Sequence, residues 1–158
     1  MSPDKFAGSA MRDLSGANQK KVLLLGSTGT IGKSTLNELV ARGHEVVCFA
    51  RPSSTRAPAG PGRPITVKAS EAEFRYGDVT DPRSLREAGF RGERFDALVS
   101  CLASRTGAPA DAWAIDHAAH SQALRLAQDA GVQQMVLLSA ICVQKPLLAF
   151  QQAKLAFE

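Results

Sequence analysis

The feature that most constrains this chain is a turn with regularly spaced glycines near its start. The turn follows the short apolar run 21–25 and precedes a segment whose apolar residues recur at helical spacing. Glycines let the backbone turn sharply and approach an anion closely, and the N-terminus of the following helix offers N–H groups to that anion. A strand, a glycine turn and a helix in this order predict a pyrophosphate-binding site. Its residues are Gly26, Ser27, Thr28, Gly29, Thr30, Ile31 and Gly32.

The alternation of strand and helix continues along the rest of the chain. Short apolar runs typical of strands buried on both faces are separated by helical periodicity, and Asp81-Pro82 has the residue types of a helix start. Such alternation requires right-handed crossovers and a parallel sheet. We therefore predict an α/β fold, a Rossmann-like doubly wound parallel sheet truncated after about five strands. The predicted strands are 21–25, 45–50, 74–76, 95–101 and 134–139, and helices follow the glycine turn, begin at Pro82, span Ala112–Ala130, and begin at Pro146.

The beginning of the chain differs in character from this pattern. Residues 1–19 have no periodicity and mix small residues with both charge signs, which predicts a disordered leader without the apolar core of a secretory signal. Residues 20–158 form the predicted nucleotide-binding domain. Open sheets of this kind usually continue into further strands and a substrate-binding portion, so we expect this chain to be the N-terminal part of a larger architecture.

The spacing G-x-x-G-x-x-G resembles that of the short-chain dehydrogenase/reductase superfamily, especially its extended and atypical members. The resemblance implies that Asp78 and Val79, after the third strand, contact the adenine of a nicotinamide cofactor. It also implies that the turn containing Cys101 and Ala103, after the fourth strand, passes beneath the two riboses. A plain turn residue is the alternative interpretation of Asp78, and a small core residue is the preferred interpretation of Cys101.

The residue at the tip of the second strand predicts which cofactor is preferred. Enzymes that use NAD usually carry a carboxylate there for the ribose 2′-hydroxyl, but this chain carries Arg51, followed by Ser53. A guanidinium can hold a 2′-phosphate in bidentate fashion, so we expect NADPH. The net charge of +4 is located in the same region, because residues 51–70 contain four basic and no acidic residues. A nucleic-acid partner is therefore not needed to explain it.

The expected catalytic positions depart from the superfamily pattern. That pattern places a serine after the fifth strand, here Ser139 or Ala140, and a Tyr-x-x-x-Lys motif on the next helix. The matching residues are Phe150 and Lys154, so the phenol that would exchange a proton with a carbonyl is missing. The resemblance implies that Lys154 binds the nicotinamide ribose and that the loop from Ser139 to Gln144 flanks the ring.

The run Leu138-Ser-Ala-Ile-Cys-Val-Gln-Lys-Pro-Leu-Leu148, together with the glycine turn and Arg51-Pro52, resembles a narrower family, the NADPH-dependent divinyl chlorophyllide 8-vinyl reductases. That resemblance implies reduction of a C8 vinyl group to ethyl on a tetrapyrrole, a reaction that needs no tyrosine. It also implies that the 158-residue chain alone lacks turnover. The alternatives are an NmrA-like NADP-binding redox sensor without catalysis and a C=C reductase of isoflavone-reductase type.

Other functional classes find little support in the sequence. Three cysteines without a C-x-x-C pair favour a reducing compartment, and His117 and His120 lack a third metal ligand at matching spacing. No apolar run is long enough for a membrane span, although peripheral contact with a photosynthetic membrane is compatible with a pigment substrate. We expect a cytoplasmic location in a bacterium or the plastid stroma in a eukaryotic phototroph.

Overall fold

The computed structural model describes residues 19–52 and 71–158, which form one five-stranded parallel sheet with helices on both faces. The strands lie side by side in the order β3-β2-β1-β4-β5. This order reverses between β1 and β4, which is the arrangement of a doubly wound dinucleotide-binding sheet. The predicted fold class is therefore confirmed. The strands are β1 (Lys21–Leu25), β2 (Glu45–Ala50), β3 (Ala72–Tyr76), β4 (Ala97–Ser100) and β5 (Gln134–Leu137).

Four helical segments connect or follow these strands. Helix α1 spans Thr30–Ala41, and Gly43 after it adopts φ +81°. Helix α2 covers 82–90, a first turn Pro82–Ser84 continued by the π-helical segment Leu85–Phe90. Helix α3 covers 109–129, made of Pro109–Ala112, the π-helical segment Trp113–Ala119 and His120–Asp129. Helix α4 spans Ala149–Phe157. None of the helices in the described residues is long and apolar enough to cross a membrane.

Burial on both faces of the sheet follows from the two-residue period of its strands. In β1, Leu23 and Leu25 point into one apolar cluster with α2 and α3, whereas Leu24 points into a second cluster with Leu36 of α1. All three leucines are fully buried, as expected for a central parallel strand covered on both faces. The sheet thus holds the glycine turn on a rigid base.

The beginning of α2 confirms the sequence prediction. The Asp81 carboxylate accepts a hydrogen bond from the Arg83 N–H at 2.9 Å, and Pro82 occupies the first turn. The predicted start of the last helix at Pro146 is wrong, because α4 begins only at Ala149. The preceding residues turn instead, and the Gln151 side chain accepts hydrogen bonds from the N–H groups of Leu147 and Leu148 at 3.0 Å. The side chain of a later residue therefore supplies the acceptor for N–H groups that have no partner within the helix.

Charged side chains hold together the layer of α2, β3 and the segment before β4. Arg75 of β3 is buried, and its guanidinium donates to the Gly89 carbonyl at 2.6 Å and to Glu73 and Glu93 at 2.8 Å. Glu93 also pairs with Lys21 at 2.9 Å. Because a buried guanidinium is stable only when its donors are matched, these carboxylates are structural partners.

Candidate nucleotide-binding and active site

The site lies at the carboxyl edge of the sheet, where the chain leaves β1 and β4 in opposite directions. Gly26 adopts φ +78°, and a Cβ built there would stand 2.7 Å from the carbonyl carbon and oxygen of Cys101. Only glycine fits this position, for steric and conformational reasons together. The tight contact brings the glycine turn against the turn that follows β4.

The other two glycines of the turn have different surroundings. A Cβ on Gly32 would overlap the Gly26 carbonyl, so this glycine lets α1 pack directly on the turn. A Cβ on Gly29 would meet only the Gly26 carbonyl, at 3.5 Å, and Gly29 is exposed. No side chain caps α1 and no acidic residue lies in its first turn. An open glycine at an uncapped helix N-terminus has the steric room and the polarity that a pyrophosphate needs.

The remaining side chains of the turn are distributed between the core and the surface. Ser27 is buried beside the Cys48 thiol, whose own burial raises its pKa to about 12. Thr28 is half-buried, and Thr30 and Ile31 are exposed at the start of α1. The exposed pair borders the open side of the turn, and the buried Cys48 thiol is an inert core residue.

At the tip of β2, Arg51 is exposed beside acidic residues from two other segments. Hydrogen bonds from Thr80 lower the pKa of Asp78, and the positive charge of Arg51 lowers it further. The pKa of Asp111, at the start of α3, is lowered by the N–H groups of Thr106 and Arg105 and then by Arg51. Arg51 therefore lies near both carboxylates, in the corner formed by β2, β3 and the start of α3. Ser53, which the sequence assigned to the same phosphate site, lies outside the described residues.

Asp78 has a defined role in its own loop. Its carboxylate accepts hydrogen bonds from the Thr80 N–H at 2.9 Å and the Thr80 hydroxyl at 2.7 Å, which closes a tight turn after β3. The side chain is exposed, and the neighbouring Val79 packs into the core. Both interpretations of Asp78 are therefore compatible with its position, since a turn residue can also face an adenine.

The turn after β4 is positioned by main-chain and side-chain contacts. The Cys101 N–H donates to the Leu25 carbonyl at 2.9 Å, and the Cys101 sulfur lies 3.6 Å from the Thr35 hydroxyl of α1. Ala103 is exposed two residues further along. The small side chains at 101 and 103 leave the surface of this turn accessible, and Cys101 is shared between the core and the site.

Lys154 of α4 reaches the same place from the other side, with its ammonium group buried. The side chain is 3% exposed, and its Nζ donates to the carbonyls of Leu102, at 3.2 Å, and Leu138, at 3.0 Å. The third neighbour is the fully buried Asp116, whose Oδ1 lies 3.3 Å from Nζ. This contact is an ion pair without hydrogen-bond geometry, and Oδ1 has no hydrogen-bond partner among the described residues. One ammonium group thus joins the ends of β4 and β5 to α3.

A second polar group is buried behind this ion pair. His120 is fully buried, with Nε2 2.8 Å from the Ser100 hydroxyl and Nδ1 3.2 Å from the Asp116 carbonyl. Burial, assisted by the charge of Lys154, lowers the pKa of His120 to about 4, so the ring is neutral at pH 7. The Asp116 Oδ2 also accepts from the Ser104 N–H at 3.2 Å. The network therefore connects α3 with the whole turn after β4.

This network was not predicted from the sequence. The sequence allowed Asp116 either to face the loop after the fifth strand or to lie on the surface, and His120 was considered only as half of a metal pair with His117. The structure shows no group of three metal-ligating side chains in residues 19–52 and 71–158. A signal was present, because Asp116 and His120 are four residues apart and share a helical face with the buried Ala119 and Ala123. Polar residues on an apolar helix face indicate a buried polar contact.

Ser139 and Phe150 are the other two residues at the expected catalytic positions. Ser139 is exposed and its hydroxyl donates to the Glu158 carboxylate, whereas Phe150 is half-buried on α4. The single tyrosine of the chain, Tyr76, ends β3 at the opposite edge of the sheet from β5. Four strand spacings separate those edges, about 19 Å, so Tyr76 cannot replace the missing phenol beside Lys154.

Comparison with known proteins agrees with this geometry. Residues 26–156 match the sequence profile of a family described as NAD(P)H-binding. The chain belongs to this family. The match covers the glycine turn, the turn after β4 and Lys154. WbmG of Bordetella bronchiseptica, solved in complex with NAD, superimposes with a TM-score of 0.73 at 18% identity, over 90% of this chain and 49% of that one.

Relatives of higher identity carry a more specific name. The divinyl chlorophyllide a 8-vinyl-reductase of Oryza sativa subsp. indica is 42% identical over 99% of this chain, and its counterpart in Zea mays is 42% identical over 90%. This NAD(P)H-binding chain spans only 38% and 35% of their lengths. The photosystem II assembly factor Ycf39 of Synechocystis is 27% identical over 77% of the chain and 34% of its own length.

The buried ion pair gives a stability prediction. Lys154→Met removes the positive charge beside the buried Asp116 carboxylate, so we expect the free energy of unfolding to fall by about 3 kcal/mol. Adding Asp116→Asn to that variant should restore most of the loss, because the uncompensated charge is removed. Urea unfolding of the wild type, both single variants and the double variant measures the coupling. Additive effects would show that the two residues do not interact.

His120 gives a prediction about pH. Its pKa in the folded protein lies below that in the unfolded chain, so the unfolded state binds more protons as pH falls from about 6.5 to about 4. The contribution of His120 to the free energy of unfolding is therefore fully present above about pH 6.5. It decreases as pH falls through this window, by up to about 3 kcal/mol. His120→Gln should flatten the dependence measured by urea unfolding across that range, whereas His117→Gln should leave it in place. An unchanged pH profile in His120→Gln would contradict this assignment.

Proposed function

We propose that this chain is the cofactor-binding part of an NADPH-dependent reductase that converts the C8 vinyl group of a divinyl chlorophyllide or protochlorophyllide to ethyl. The observation that carries the proposal is the 42% identity to the rice divinyl chlorophyllide a 8-vinyl-reductase over 99% of the chain. At that identity the resemblance extends through the glycine turn, Arg51 and the segment after β5. The chain spans just over a third of the relative's length, so the substrate portion of such an enzyme lies in sequence that it does not cover.

The residues present fit a nicotinamide dinucleotide. The cradle between Gly26 and Gly32 has no room for a Cβ at either glycine, and Gly29 opens outward between them. In this proposal the turn and the start of α1 hold the pyrophosphate, Asp78 and Val79 face the adenine, and Cys101 and Ala103 support the riboses. In this proposal Lys154, whose ammonium group lies beside the Asp116 carboxylate at the ends of β4 and β5, binds the nicotinamide ribose. When bound, the cofactor supplies a hydride.

A preference for NADPH follows from the charges at the tip of β2. No carboxylate occupies the position after the second strand, and Arg51 stands there with its charge close to Asp78 and Asp111. A 2′-phosphate would add two negative charges beside this guanidinium, and a bidentate contact would favour it over a hydroxyl. Ser53 is proposed as a second phosphate contact on the grounds of sequence alone.

The absence of a phenol at position 150 agrees with the proposed reaction. Carbonyl reduction needs a proton donor that polarises the C=O bond, whereas a vinyl group conjugated with a macrocycle has no such oxygen. Phe150 supplies an apolar ring instead, and the Lys154 ammonium is held among two carbonyls and Asp116. These residues bind and orient the nicotinamide group and exclude water from it. We propose that Ser139, exposed at the same edge, flanks the nicotinamide side.

A second candidate function is NADP binding without turnover. It is favoured by the match to the photosystem II assembly factor Ycf39, which is named for assembly and not for a reaction, and by the missing tyrosine. In that case the same glycine turn and Arg51 would serve a sensor or structural role. The lower identity, 27% against 42%, makes it the weaker candidate.

The location of the protein is proposed from the names of its relatives. The rice and maize enzymes are described as chloroplastic. We propose the plastid stroma, or the cytoplasm if the host is bacterial, with contact to a photosynthetic membrane limited to its surface.

Arg51→Asp tests the cofactor preference. Loss of the guanidinium and gain of a carboxylate should weaken NADPH binding by about a hundredfold, from the combined loss of attraction and added repulsion at one phosphate. NADH binding should change by less than about threefold. Fluorescence titration of the reduced cofactors measures both constants, and Arg83→Asp, on the exposed surface of α2, is the matched control. Equal weakening of the two cofactors would mean that Arg51 does not contact the phosphate.

A turnover assay separates the two candidate functions. We expect a full-length protein containing this sequence, given NADPH and divinyl chlorophyllide a, to shift the pigment's absorption bands to those of the monovinyl form. The 158-residue chain alone should bind NADPH without this shift, because the substrate portion is missing. NADPH binding by the full-length protein without any spectral shift would reject the reductase and favour the NADP-binding alternative. A shift produced by the 158-residue chain would show that it already contains the substrate site.

A further inference from the structure

The buried histidine of α3 has no part in the proposed binding of the cofactor. His120 is fully buried, and its ring lies 5.3 Å from the ring of Phe157 on α4, measured between centroids. Its Nδ1 is 3.2 Å from the Asp116 carbonyl oxygen, and its Nε2 is 2.8 Å from the Ser100 hydroxyl. Histidine is a costly residue for a core position, because both ring nitrogens need partners there. The identity of these partners therefore indicates what the residue does.

The two partners determine which ring nitrogen carries the proton. Burial and the charge of Lys154 lower the pKa of His120 to about 4, so the ring is neutral at pH 7 and has a single N–H group. A carbonyl oxygen can only accept, so Nδ1 donates to Asp116 and Nε2 is left as an acceptor. The Ser100 hydroxyl must then donate to Nε2. This fixes the direction of the hydroxyl proton and leaves the Ser100 oxygen as an acceptor.

The Ser100 oxygen acts on the turn that follows β4. It accepts a long hydrogen bond, 3.4 Å, from the Leu102 N–H. The carbonyl of the same residue accepts from the Lys154 ammonium at 3.2 Å. A continuous series of contacts thus leads from His120 through Ser100 and the backbone of Leu102 to Lys154. Because the peptide units are planar, restraining the N–H of Leu102 also restrains the direction of its carbonyl.

The ring of His120 is held from two sides. Phe157 lies one helical turn after Lys154, so the helix that supplies the ammonium group also supplies the ring that packs against His120. Contact between the two rings restricts rotation of the imidazole. The orientation of His120 is therefore fixed by α3, which carries it, and by α4, which packs on it.

The place of these contacts in the sheet relates them to one half of the cofactor. Strands β4 and β5 lie on one side of β1, whereas β2, whose tip carries Arg51, lies on the other. Three strand spacings separate β2 from β5, about 14 Å. In the proposed function the 2′-phosphate lies at Arg51 and the nicotinamide ribose at Lys154. The contacts of His120 therefore belong to the nicotinamide half.

We propose that His120 is a positioning residue for the nicotinamide half of the cofactor. By accepting from the Ser100 hydroxyl, it sets the backbone of Leu102 on which the Lys154 ammonium rests. This inference rests on the proposed function, and His120 itself touches neither the cofactor nor the reacting atoms. The direction that it gives Lys154 is not supplied by Asp116, because that ion pair lacks hydrogen-bond geometry.

The test compares two ligands in calorimetric titrations of a full-length protein containing this sequence. NADPH occupies both halves of the site, whereas adenosine 2′,5′-bisphosphate carries the 2′-phosphate but lacks the nicotinamide ribose. His120→Phe keeps an aromatic ring against Phe157 and leaves the Ser100 hydroxyl without its acceptor. We expect the Kd of NADPH to rise by about tenfold and that of the bisphosphate to change by less than about twofold. A purely structural role would weaken both ligands alike, and that result would overturn the proposal.

Further variants test the hydrogen bond itself. His120→Gln offers an amide nitrogen and oxygen in place of the two ring nitrogens, so NADPH binding should return to within about threefold of the wild type. Ser100→Ala should reproduce the effect of His120→Phe, and the double variant should bind no more weakly than either, because both changes remove the same bond. Additive effects at the two positions would overturn the bond as the cause.

A matched control and a check of folding complete the design. His117→Phe lies on the same helix, where the native ring packs 5.4 Å from Trp113, and should leave the binding of both ligands unchanged. Bisphosphate binding needs the folded glycine turn and the tip of β2, so it also reports whether each variant is folded. If His120→Phe does not fold, Ser100→Ala carries the comparison of the two ligands.

Failure of this inference can be distinguished from failure of the proposed function. A wild-type protein that binds both ligands, with variants that lose neither or lose both equally, would overturn only the positioning role. A wild-type protein that binds neither ligand would overturn the cofactor site and the inference with it. NADPH binding that depends on His120, without a pigment shift in the turnover assay, would reject the reductase and keep the positioning role.

Discussion

The structure depends on the contact between Gly26 and the backbone of Cys101 and Leu102. A Cβ built on Gly26 would lie only 2.7 to 2.9 Å from these backbone atoms, so there is no room for any side chain. It forces the turn after β1 against the turn after β4, and the gap between these two turns is the crevice in which doubly wound sheets bind ligands. Gly32 extends the same constraint to α1 by letting the helix pack on the turn. The location of the site follows from two missing β-carbons.

Much of this fold was predictable because its signals are local. The bounds of β1 and β2 agree with the predicted 21–25 and 45–50, since each is a dense apolar run next to a glycine or a charged residue. Asp81-Pro82 marks the start of α2 for a reason that involves only three residues. The glycine turn was equally visible, because its glycines report backbone geometry directly.

The features that could not be predicted from the sequence depend on contacts between residues that are distant along the chain. The start of α4 is set by Gln151 bonding back to Leu147 and Leu148, so the signal of a proline at 146 was misleading. The neutral state of His120 depends on the layers that bury it, and the Asp116–Lys154 pair joins residues 38 positions apart. Polar partners of this kind are chosen by the packing of helices on the sheet, which no single segment encodes.

Gln151 and Lys154 lie one turn apart on α4, and each joins this short helix to a different part of the chain. The amide of Gln151 bonds to the backbone of the segment between β5 and α4, and the ammonium of Lys154 bonds to the carbonyls at the ends of β4 and β5. Any sliding or rotation of α4 must therefore move this segment and the strand ends together. The β5 side of the site is thus fixed in place by one short helix.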